Sequence, residues 1–320
     1  MSTYNWGILG LGSIAADFAH AITAYHGELY AVASRSAEKA EAFASEHGAT
    51  KAYGHYTPLM TDPKVDIIYV ATPHASHHEY IREALQNGKH VLCEKAITIN
   101  GDELNELIEL AEKNNLILME AMTIYHMPLY HALRDVITSN RLGPVKMINV
   151  TFGSRKPFDP SNRFYNPELA GGALLDIGTY ALSFARFFLS EQPTQVLTTM
   201  KAAETNVDEQ SAIVLKTSTD VIVTISLAFR GKMPKRGIIA CENGFITVDD
   251  FPRAEQATLT WHDGNTEVIK AGHSAEALMN EIKAMESSVS GIDQSYISIS
   301  KDVMTLMDEV RQQWSLQRTS

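Results

Sequence analysis

Residues 10–15 read Gly10-Leu11-Gly12-Ser13-Ile14-Ala15, a G-x-G-x-x-A pattern. The pattern follows an apolar run at 6–9 and opens a stretch with helical periodicity at 13–25. In such a loop the first glycine permits a tight turn, the second lets backbone approach a pyrophosphate, and the third small residue packs helix on strand. Free N–H groups at the helix N-terminus favour the phosphates. We therefore predict a dinucleotide site whose contacts include Gly10, Gly12, Ser13 and Ile14.

Apolar runs and helical periods alternate through the first 120 residues. Further apolar runs occupy 29–33, 67–71, 90–93 and 116–119. Helix-like stretches lie at 36–47, 74–87 and 101–114, the last starting at Asn100 or Asp102. This rhythm is typical of a parallel sheet with crossover helices. We predict an α/β chain whose residues 1–122 form a Rossmann domain, a doubly wound parallel sheet.

The pattern changes after residue 121. Helical periods at 128–139, 173–188, 275–289 and 300–317 surround a strand from Val145 and several β-branched strands within 194–270. Strands adjacent in sequence favour antiparallel pairing. Residues 123–320 are therefore predicted to form an α+β domain that binds substrate and mediates oligomerisation.

Composition limits the setting and the partners. The chain has 320 residues, a net charge of −11 and two cysteines, and no apolar run reaches 18 residues. The acidic balance argues against nucleic acid or an anionic membrane as the main partner. Two cysteines cannot form a disulfide framework, and residues 1–5 show no basic leader or cleavage site. We expect a soluble cytoplasmic protein.

The end of the second apolar run bears on cofactor choice. An NAD site usually has Asp or Glu there to bind the ribose 2′-hydroxyl. This chain reads Ala33-Ser34-Arg35-Ser36, with Lys39 a turn later. Arg35 can bind a 2′-phosphate through charge-assisted hydrogen bonds and stack on adenine. The pattern favours NADP over NAD, although Arg35 as an ordinary solvated loop residue is the alternative.

Two more loops follow strands whose carboxyl ends face the ligand in an open parallel sheet. Thr72, Pro73 and His74 follow one strand, Glu94 and Lys95 follow the next, and we assign these residues to the cofactor cleft together with His77. Lys95 can hydrogen-bond a substrate oxygen and shuttle its proton, or only anchor a phosphate or carboxylate. The histidines lack acidic or thiol partners in sequence, so no metal is predicted.

A second candidate lies at 170–180, which reads Ala-Gly-Gly-Ala-Leu-Leu-Asp-Ile-Gly-Thr-Tyr. Asp176 and Tyr180 are four residues apart, so on a helix they share a face. The segment is apolar nearly all round, and a carboxylate and a phenol within it need partners. A buried Asp–Tyr hydrogen bond satisfies this, and so does a tyrosine that reaches the surface. The third reading is a catalytic pair.

Together these motifs resemble the glucose-fructose oxidoreductase, inositol dehydrogenase and rhizopine-catabolism (Gfo/Idh/MocA) oxidoreductases. The resemblance covers essentially the whole chain: 10–15, Ala71-Thr72-Pro73-His74, Glu94-Lys95 and 171–178. Many members have His where this chain has Tyr180. Tyrosine there, with Met119-Glu120-Ala121 and the Gly54-His55-Tyr56 spacing, resembles the branch of dimeric trans-dihydrodiol dehydrogenase and NADP-dependent D-xylose dehydrogenase.

The resemblance implies a reaction and its residues. It implies a C-terminal domain with a large, mostly antiparallel open sheet that often mediates dimers, and hydride transfer between nicotinamide C4 and a sugar-like carbinol. Tyr180 would be the general acid/base, Lys95 its electrostatic partner, and Asp176 an orienter of substrate or lysine. A homodimer or homotetramer is expected.

One residue departs from the family pattern, which usually reads Glu-Lys-Pro with a cis proline bond. Here Ala96 follows Lys95. Because a cis bond before a residue other than proline costs about 3 kcal/mol, we predict a trans Lys95–Ala96 bond. The loop 154–166 carries Arg155, Lys156 and Arg163. It could close over a polyol or acid substrate, with Arg163 in contact, or simply be solvated.

Two classes of function fit these observations. The first is an NADP- or NAD-dependent dehydrogenase or reductase for an aldose, polyol or cyclic diol. The second is a catalytically silent nucleotide-binding sensor or regulator on the same fold. The presence of Lys95, Asp176 and Tyr180 together favours the enzyme. An enzyme that retains its cofactor and cycles it is a variant of the first.

Overall fold

A computed structural model describes residues 4–26 and 28–319 of the chain. Residues 1–3, part of the segment in which we expect no leader, lie outside the described residues. The chain divides into two compact units. The first comprises Met1–Met122 and Ala275–Ile297, and the second comprises Thr123–Ser274 and Ser298–Ser320.

The first unit is built on a six-stranded parallel sheet. Its strands are β1 (Trp6–Leu9), β2 (Leu29–Ala33), β3 (Ala49–Tyr53), β4 (Ile67–Val70), β5 (His90–Glu94) and β6 (Leu118–Ala121). The helices between them are α1 (Ser13–His26), α2 (Ala37–His47), α3 (Tyr56–Thr61), α4 (His77–Gln86) and α5 (Gly101–Lys113). The strand order is β3-β2-β1-β4-β5-β6, which confirms the predicted doubly wound Rossmann sheet. The order reverses between β1 and β4, and ligands bind beyond the strand ends at such a point.

Local sequence explains most of these elements. The strands β1, β2 and β4 are buried along their whole length, so they appear as continuous apolar runs. Helix α5 begins where predicted, because the Asn100 side chain accepts the Glu103 N–H at 2.8 Å. Strand β3 is absent from the predicted apolar runs. It lies at the sheet edge and none of its residues is fully buried, so it carries no apolar run.

The second unit contains an eight-stranded sheet. Its strands are β7 (Val145–Gly153), β8 (Gln195–Ala202), β9 (Asp208–Lys216), β10 (Ile222–Ala228), β11 (Met233–Cys241), β12 (Gly244–Asp249), β13 (Gln256–Trp261) and β14 (Thr266–Lys270). Its helices are α6 (Thr123–His126), α7 (Pro128–Thr138) and α8 (Thr179–Phe188); α9 (Ala277–Val289) and α10 (Ile297–Thr319) close the chain. The order is β14-β13-β12-β11-β7-β10-β9-β8, and β7 with β10 is the parallel pair among antiparallel ones. The mostly antiparallel sheet is therefore confirmed.

The two faces of this sheet differ. Helix α8 covers one face so closely that a Cβ on Gly237 would lie 2.3 Å from the Phe184 ring. The residues of β9 alternate between buried and exposed, as expected for a sheet covered on one side. The opposite face carries large apolar side chains in exposed positions. These are Met147, Leu197, Val214, Ile222, Phe245 and Val268, which we call the open face.

One predicted domain range needs correction. Residues 123–320 do not form one unit, because Ala275–Ile297 group with the first unit. Helix α9 belongs to the first unit, where Leu278, Ile282 and Met285 join the core cluster that contains Trp6 and Phe18. The apolar face of α9 finds its complement in the Rossmann core. Within the described residues, no helix has the length and apolarity of a transmembrane span.

Candidate active site

The two glycines of the loop between β1 and α1 lie in different surroundings: Gly10 is tightly packed, and Gly12 borders open space. Gly10 has φ +91°, and a Cβ there would lie 2.8 Å from the Ala71 carbonyl oxygen. Its N–H also donates to the Ala33 carbonyl at 3.2 Å. Both the left-handed conformation and the close approach of β4 exclude a side chain. Gly10 therefore makes the tight turn that the motif predicts.

Gly12 is different, because a Cβ there would meet nothing within 4 Å. Protein packing does not require this glycine. The open space lies at the start of α1, where Ser13 and Ile14 belong to the first turn and its N–H groups lack intrahelical acceptors. A cradle of this kind fits a pyrophosphate that approaches the backbone closely.

At the end of β2, Arg35 lies beside an aromatic pair. The rings of Tyr56 and Tyr80 are 4.9 Å apart and edge to face. Burial raises the pKa of the Tyr56 hydroxyl, and the neighbouring Arg35 opposes this rise. Ser34 is buried, and Lys39 lies in the first turn of α2, whose N-cap is Ser36. No sequence motif indicates a cofactor role for Tyr56 or Tyr80, and Tyr56 belongs only to the Gly54-His55-Tyr56 spacing.

The loop that bears Lys95 is held by histidines of the preceding loop. The Lys95 carbonyl oxygen lies 3.1 Å from His74 Nε2, and the Ala96 carbonyl oxygen lies 3.0 Å from His77 Nδ1. His77 Nε2 is 2.7 Å from the Thr72 carbonyl oxygen. Burial lowers the pKa of His77. The histidines thus join the loops after β4 and β5, with Pro73 between Thr72 and His74.

The peptide bond between Lys95 and Ala96 is cis, so the predicted trans bond is wrong. The local cost of a cis bond favours trans at this position. The structure adds tertiary contacts, because the carbonyls of both residues are engaged by His74 and His77. Glu120 also contributes, since its Oε1 accepts the Ile97 N–H at 3.1 Å.

Glu94 and Glu120 occupy the ends of neighbouring strands and support this loop. The Tyr69 hydroxyl donates to the Glu94 carboxylate, and the Tyr69 ring stacks on Phe18 with centroids 3.6 Å apart. Tyr69 is fully buried, and burial raises its pKa well above the usual range. Tyr69 therefore stays neutral and acts as a donor. Sequence alone does not distinguish Tyr69 from an ordinary core residue, because it lies within a buried apolar strand.

In the second unit, the segment with Asp176 and Tyr180 is helical, as predicted, but not uniformly. Leu174–Gly178 form a π-helix that α8 continues from Thr179. The Asp176 side chain is 11% exposed, and Arg163 Nη2 lies 3.7 Å from its Oδ1. Tyr180 is half-buried, with its ring centroid 6.3 Å from that of Phe152. The structure thus brings Arg163, Asp176 and Tyr180 into one region.

The basic loop 154–166 folds on its own aromatic residues. Lys156 Nζ lies 4.2 Å and Arg163 Cζ 4.4 Å from the centroid of the Phe164 ring. The Tyr165 hydroxyl donates to the Lys156 carbonyl at 3.1 Å. Cations over an aromatic face are favoured electrostatically, so the loop has internal order. It presents Arg163, whose side chain is 53% exposed, beside Asp176.

The contacts of His74, His77 and His78 are relevant to whether these side chains could bind a metal ion. His74 and His77 face backbone carbonyls, and His78 Nε2 lies 2.9 Å from Glu106 Oε2. In the described part of the chain, no group of three or more His, Cys, Asp or Glu side chains is arranged to hold a metal ion.

The fold and the glycine cradle define a dinucleotide-binding protein with a second α+β unit. Residues 4–122 match the GFO_IDH_MocA profile, described as an oxidoreductase family with an NAD-binding Rossmann fold, and 130–247 match the GFO/IDH/MocA C-terminal domain. The chain belongs to the Gfo/Idh/MocA family of oxidoreductases and is an NAD(P)-dependent enzyme.

Named relatives agree with this family. The chain is 32% identical over 330 residues to a trans-1,2-dihydrobenzene-1,2-diol dehydrogenase of Xenopus tropicalis, covering 96% of this chain and 97% of the relative. It is 38% identical over 241 residues to a D-xylose 1-dehydrogenase (NADP(+)) of Hypocrea jecorina, covering 66% and 61%. A crystal structure of an NAD-binding oxidoreductase from Klebsiella pneumoniae shares the fold, with a TM-score of 0.89, 20% identity, and coverage of 99% and 98%.

Proposed function

We propose that the protein is an NADP-dependent dehydrogenase or reductase that acts on a carbinol or carbonyl of a sugar, polyol or cyclic diol. The observation that carries the proposal is the π-helical turn with a buried Asp176, followed by the half-buried Tyr180. π-helical turns inside helices are rare and concentrate at functional sites. The names of the Xenopus and Hypocrea relatives support the substrate class.

The proposed roles follow from the chemistry of the side chains. The nicotinamide ring supplies or accepts the hydride when the cofactor is bound. Tyr180 is the general acid/base for the substrate oxygen. Lys95 is proposed as its electrostatic partner, because a positive charge beside a phenol would lower the pKa of that phenol. Asp176 orients the substrate, with Arg163 beside its carboxylate. Lys95, Arg163, Asp176 and Tyr180 are thus the proposed substrate contacts.

NADP preference is proposed from the region after β2. The region presents the guanidinium of Arg35, the hydroxyl of Ser34 and the ammonium of Lys39, and the residues directly after β2, Ser34-Arg35-Ser36, include no Asp or Glu. Tyr56, which interacts with Arg35, joins them as a further contact. The other proposed cofactor contacts are Gly10, Gly12, Ser13, Ile14, Thr72, Pro73, His74, His77, Glu94 and Lys95.

The cofactor proposal is tested by fluorescence titration with NADPH and with NADH. We expect tighter binding of NADPH and a loss of about 10- to 100-fold in Arg35→Ala, since a hydrogen bond to a charged group contributes about 1.5–3 kcal/mol. Arg82→Ala is the control, because Arg82 is an exposed arginine of α4. A preference for NADH would contradict the assignment of Arg35.

The catalytic proposal is tested with Tyr180→Phe on NADP-linked oxidation of D-xylose and of trans-dihydrodiols. Removal of a general acid/base is expected to lower kcat about 100-fold or more. Tyr25→Phe is the control, because Tyr25 is exposed and its contact with Lys283 involves the ring. Unchanged turnover would remove Tyr180 from the mechanism. Cofactor binding without turnover of any aldose, polyol or diol would favour the sensor.

We also propose that the chain forms a homodimer or homotetramer through the open face. That face exposes six large apolar side chains across strands from β8 to β14, with Leu197 68% and Val268 52% exposed. Such contiguous apolar surface is typical of an interface. The two free cysteines, Cys93 buried and Cys241 partly buried, support a reducing, cytoplasmic setting.

A further inference from the structure

Asp208, the first residue of β9, contacts the segment that carries Asp176 and Tyr180. Its Oδ2 accepts the Leu174 N–H at 2.6 Å. Leu174 is the first residue of the π-helix, so this N–H is among the donors that a helix start leaves without an intrahelical acceptor. A carboxylate at that point both accepts the hydrogen bond and is favoured by the helix dipole.

Gly172, which precedes the helix, leaves room for the Asp208 carboxylate to reach the Leu174 N–H. Gly172 has φ +124°, and a Cβ there would lie 2.2 Å from Asp208 Oδ1. No side chain could be accommodated without moving the carboxylate. The preceding Gly171 is restricted by different atoms, because its Cβ would lie 2.9 Å from the carbonyl oxygens of Phe164 and Asn166. The double glycine thus lets a carboxylate approach on one side and the basic loop on the other.

We propose that Asp208 is a positioning residue whose carboxylate fixes the start of the helical segment that carries Asp176 and Tyr180. This inference rests on the function proposed above. Asp176 lies two residues and Tyr180 six residues beyond the anchored N–H, and the Asp176 N–H donates to the Gly172 carbonyl at 3.3 Å. A shift at the anchor therefore moves both side chains. Misplacement by about 1 Å can reduce a rate about 100-fold.

The charge of the Asp208 carboxylate changes with pH between 7.5 and 5.5. Burial raises the pKa of Asp208 to about 6, although the N–H groups of Leu174 and Ala173 and the charge of Arg311 oppose the rise. The other charged groups around it include the neighbouring Glu209 and Asp308, which pairs with Arg311. Lys201 on β8 and Arg230 both pair with Glu209. Below pH 6 the carboxyl is protonated and its interaction with the helix start weakens.

The test uses the full chain and the variant Asp208→Asn, which keeps the shape and removes the charge. Asp220→Asn is the control, because Asp220 is exposed, makes a surface pair with Lys216 and gives the same change in net charge. Hydrogen exchange of the amides at 173–180 is measured at pH 7.5 and 5.5. Protection there is expected to fall at least ten-fold in Asp208→Asn at pH 7.5 and to remain unchanged in the control.

The unmodified protein provides a second, independent measurement. Its protection factors at 173–180 should fall from pH 7.5 to 5.5, whereas those of Asp208→Asn should not change further. Equal protection in all three proteins at both pH values would overturn the anchor. If Asp208→Asn fails to fold, the unmodified protein alone carries the test, and protection at 173–180 that is the same at pH 7.5 and 5.5 would overturn the anchor.

Measurements of kcat show whether Asp208 positions Asp176 and Tyr180 or only stabilises the fold. With D-xylose or a trans-dihydrodiol, Asp208→Asn should lower kcat at least ten-fold while the Kd for NADPH stays within two-fold. An unchanged kcat with lost protection would overturn the positioning role. If the unmodified protein turns over no aldose, polyol or diol, the proposed function fails, and hydrogen exchange still decides whether Asp208 anchors the segment.

Discussion

Gly12→Ala separates cofactor binding from folding in the glycine loop. A Cβ at Gly12 meets no protein atom within 4 Å, and Gly12 is not among the glycines with positive φ. The substitution is therefore tolerated by the fold, and the smaller entropy of the unfolded chain stabilises it by about 0.4–1 kcal/mol. In the proposed cofactor site, the new methyl group would occupy the space of the pyrophosphate.

The expected loss of binding follows from that overlap. Introducing a methyl group into a well-packed contact costs about 1–3 kcal/mol, which corresponds to a roughly 5- to 150-fold rise in the Kd for NADPH. Gly10→Ala is the matched comparison. It combines a left-handed backbone, about 1–2 kcal/mol, with a Cβ 2.8 Å from the Ala71 oxygen, about 1–3 kcal/mol. We expect Tm to fall by roughly 4–20 °C.

The assay combines thermal unfolding without cofactor and NADPH fluorescence titration of the same samples. Gly12→Ala should keep or slightly raise Tm and bind NADPH poorly, whereas Gly10→Ala should lose Tm. If Gly12→Ala binds NADPH within two-fold of the unmodified protein, the pyrophosphate does not lie against Gly12. A large drop in Tm for Gly12→Ala would refute the claim that packing leaves this position open.

Three further predictions concern stability and assembly. Burial would raise the pKa of Asp62, but hydrogen bonds from Lys51, Tyr53 and others outweigh burial and hold the pKa well below its usual range. Because a depressed pKa stabilises above the unfolded value, Asp62→Asn should lose about 1–3 kcal/mol at pH 7, and urea unfolding should show a smaller difference as pH falls below 4. Gly237→Ala should lower Tm, because its Cβ would lie 2.3 Å from a phenyl ring of α8; an unchanged Tm would contradict this close packing. Leu197→Glu should reduce the mass measured by light scattering to that of a monomer, and an unchanged oligomer would exclude the open face as the interface.

The local parts of the fold were predictable from short-range patterns. Interactions between residues close in sequence determine the buried strands, the glycine loop and helix α8. These interactions appear as side-chain periodicity or as backbone preference. The Asn100 cap is of the same kind. For such features the relevant interactions are already present in the sequence window that shows the pattern.

The missed features depend on partners far away in sequence. Strand β3 lies at an exposed edge, so burial gave it no apolar pattern. Helix α9 packs in the first unit because its apolar residues join a core cluster that includes Trp6, about 270 residues earlier in the chain. The cis bond after Lys95 coincides with contacts from His74 and His77, which are 21 and 19 residues away from their partners in sequence.

The sequence by itself determined a Rossmann unit with a dinucleotide loop and an α+β second half, and it suggested Lys95, Asp176 and Tyr180 as the candidate catalytic residues. Only the tertiary structure showed that Gly12 borders open space, that Tyr56 lies beside Arg35, and that Asp208 contacts the start of the helix with Asp176. Periodicity and backbone preference are local, whereas a contact between Leu174 and a carboxylate 34 residues away forms only when strand and helix pack together.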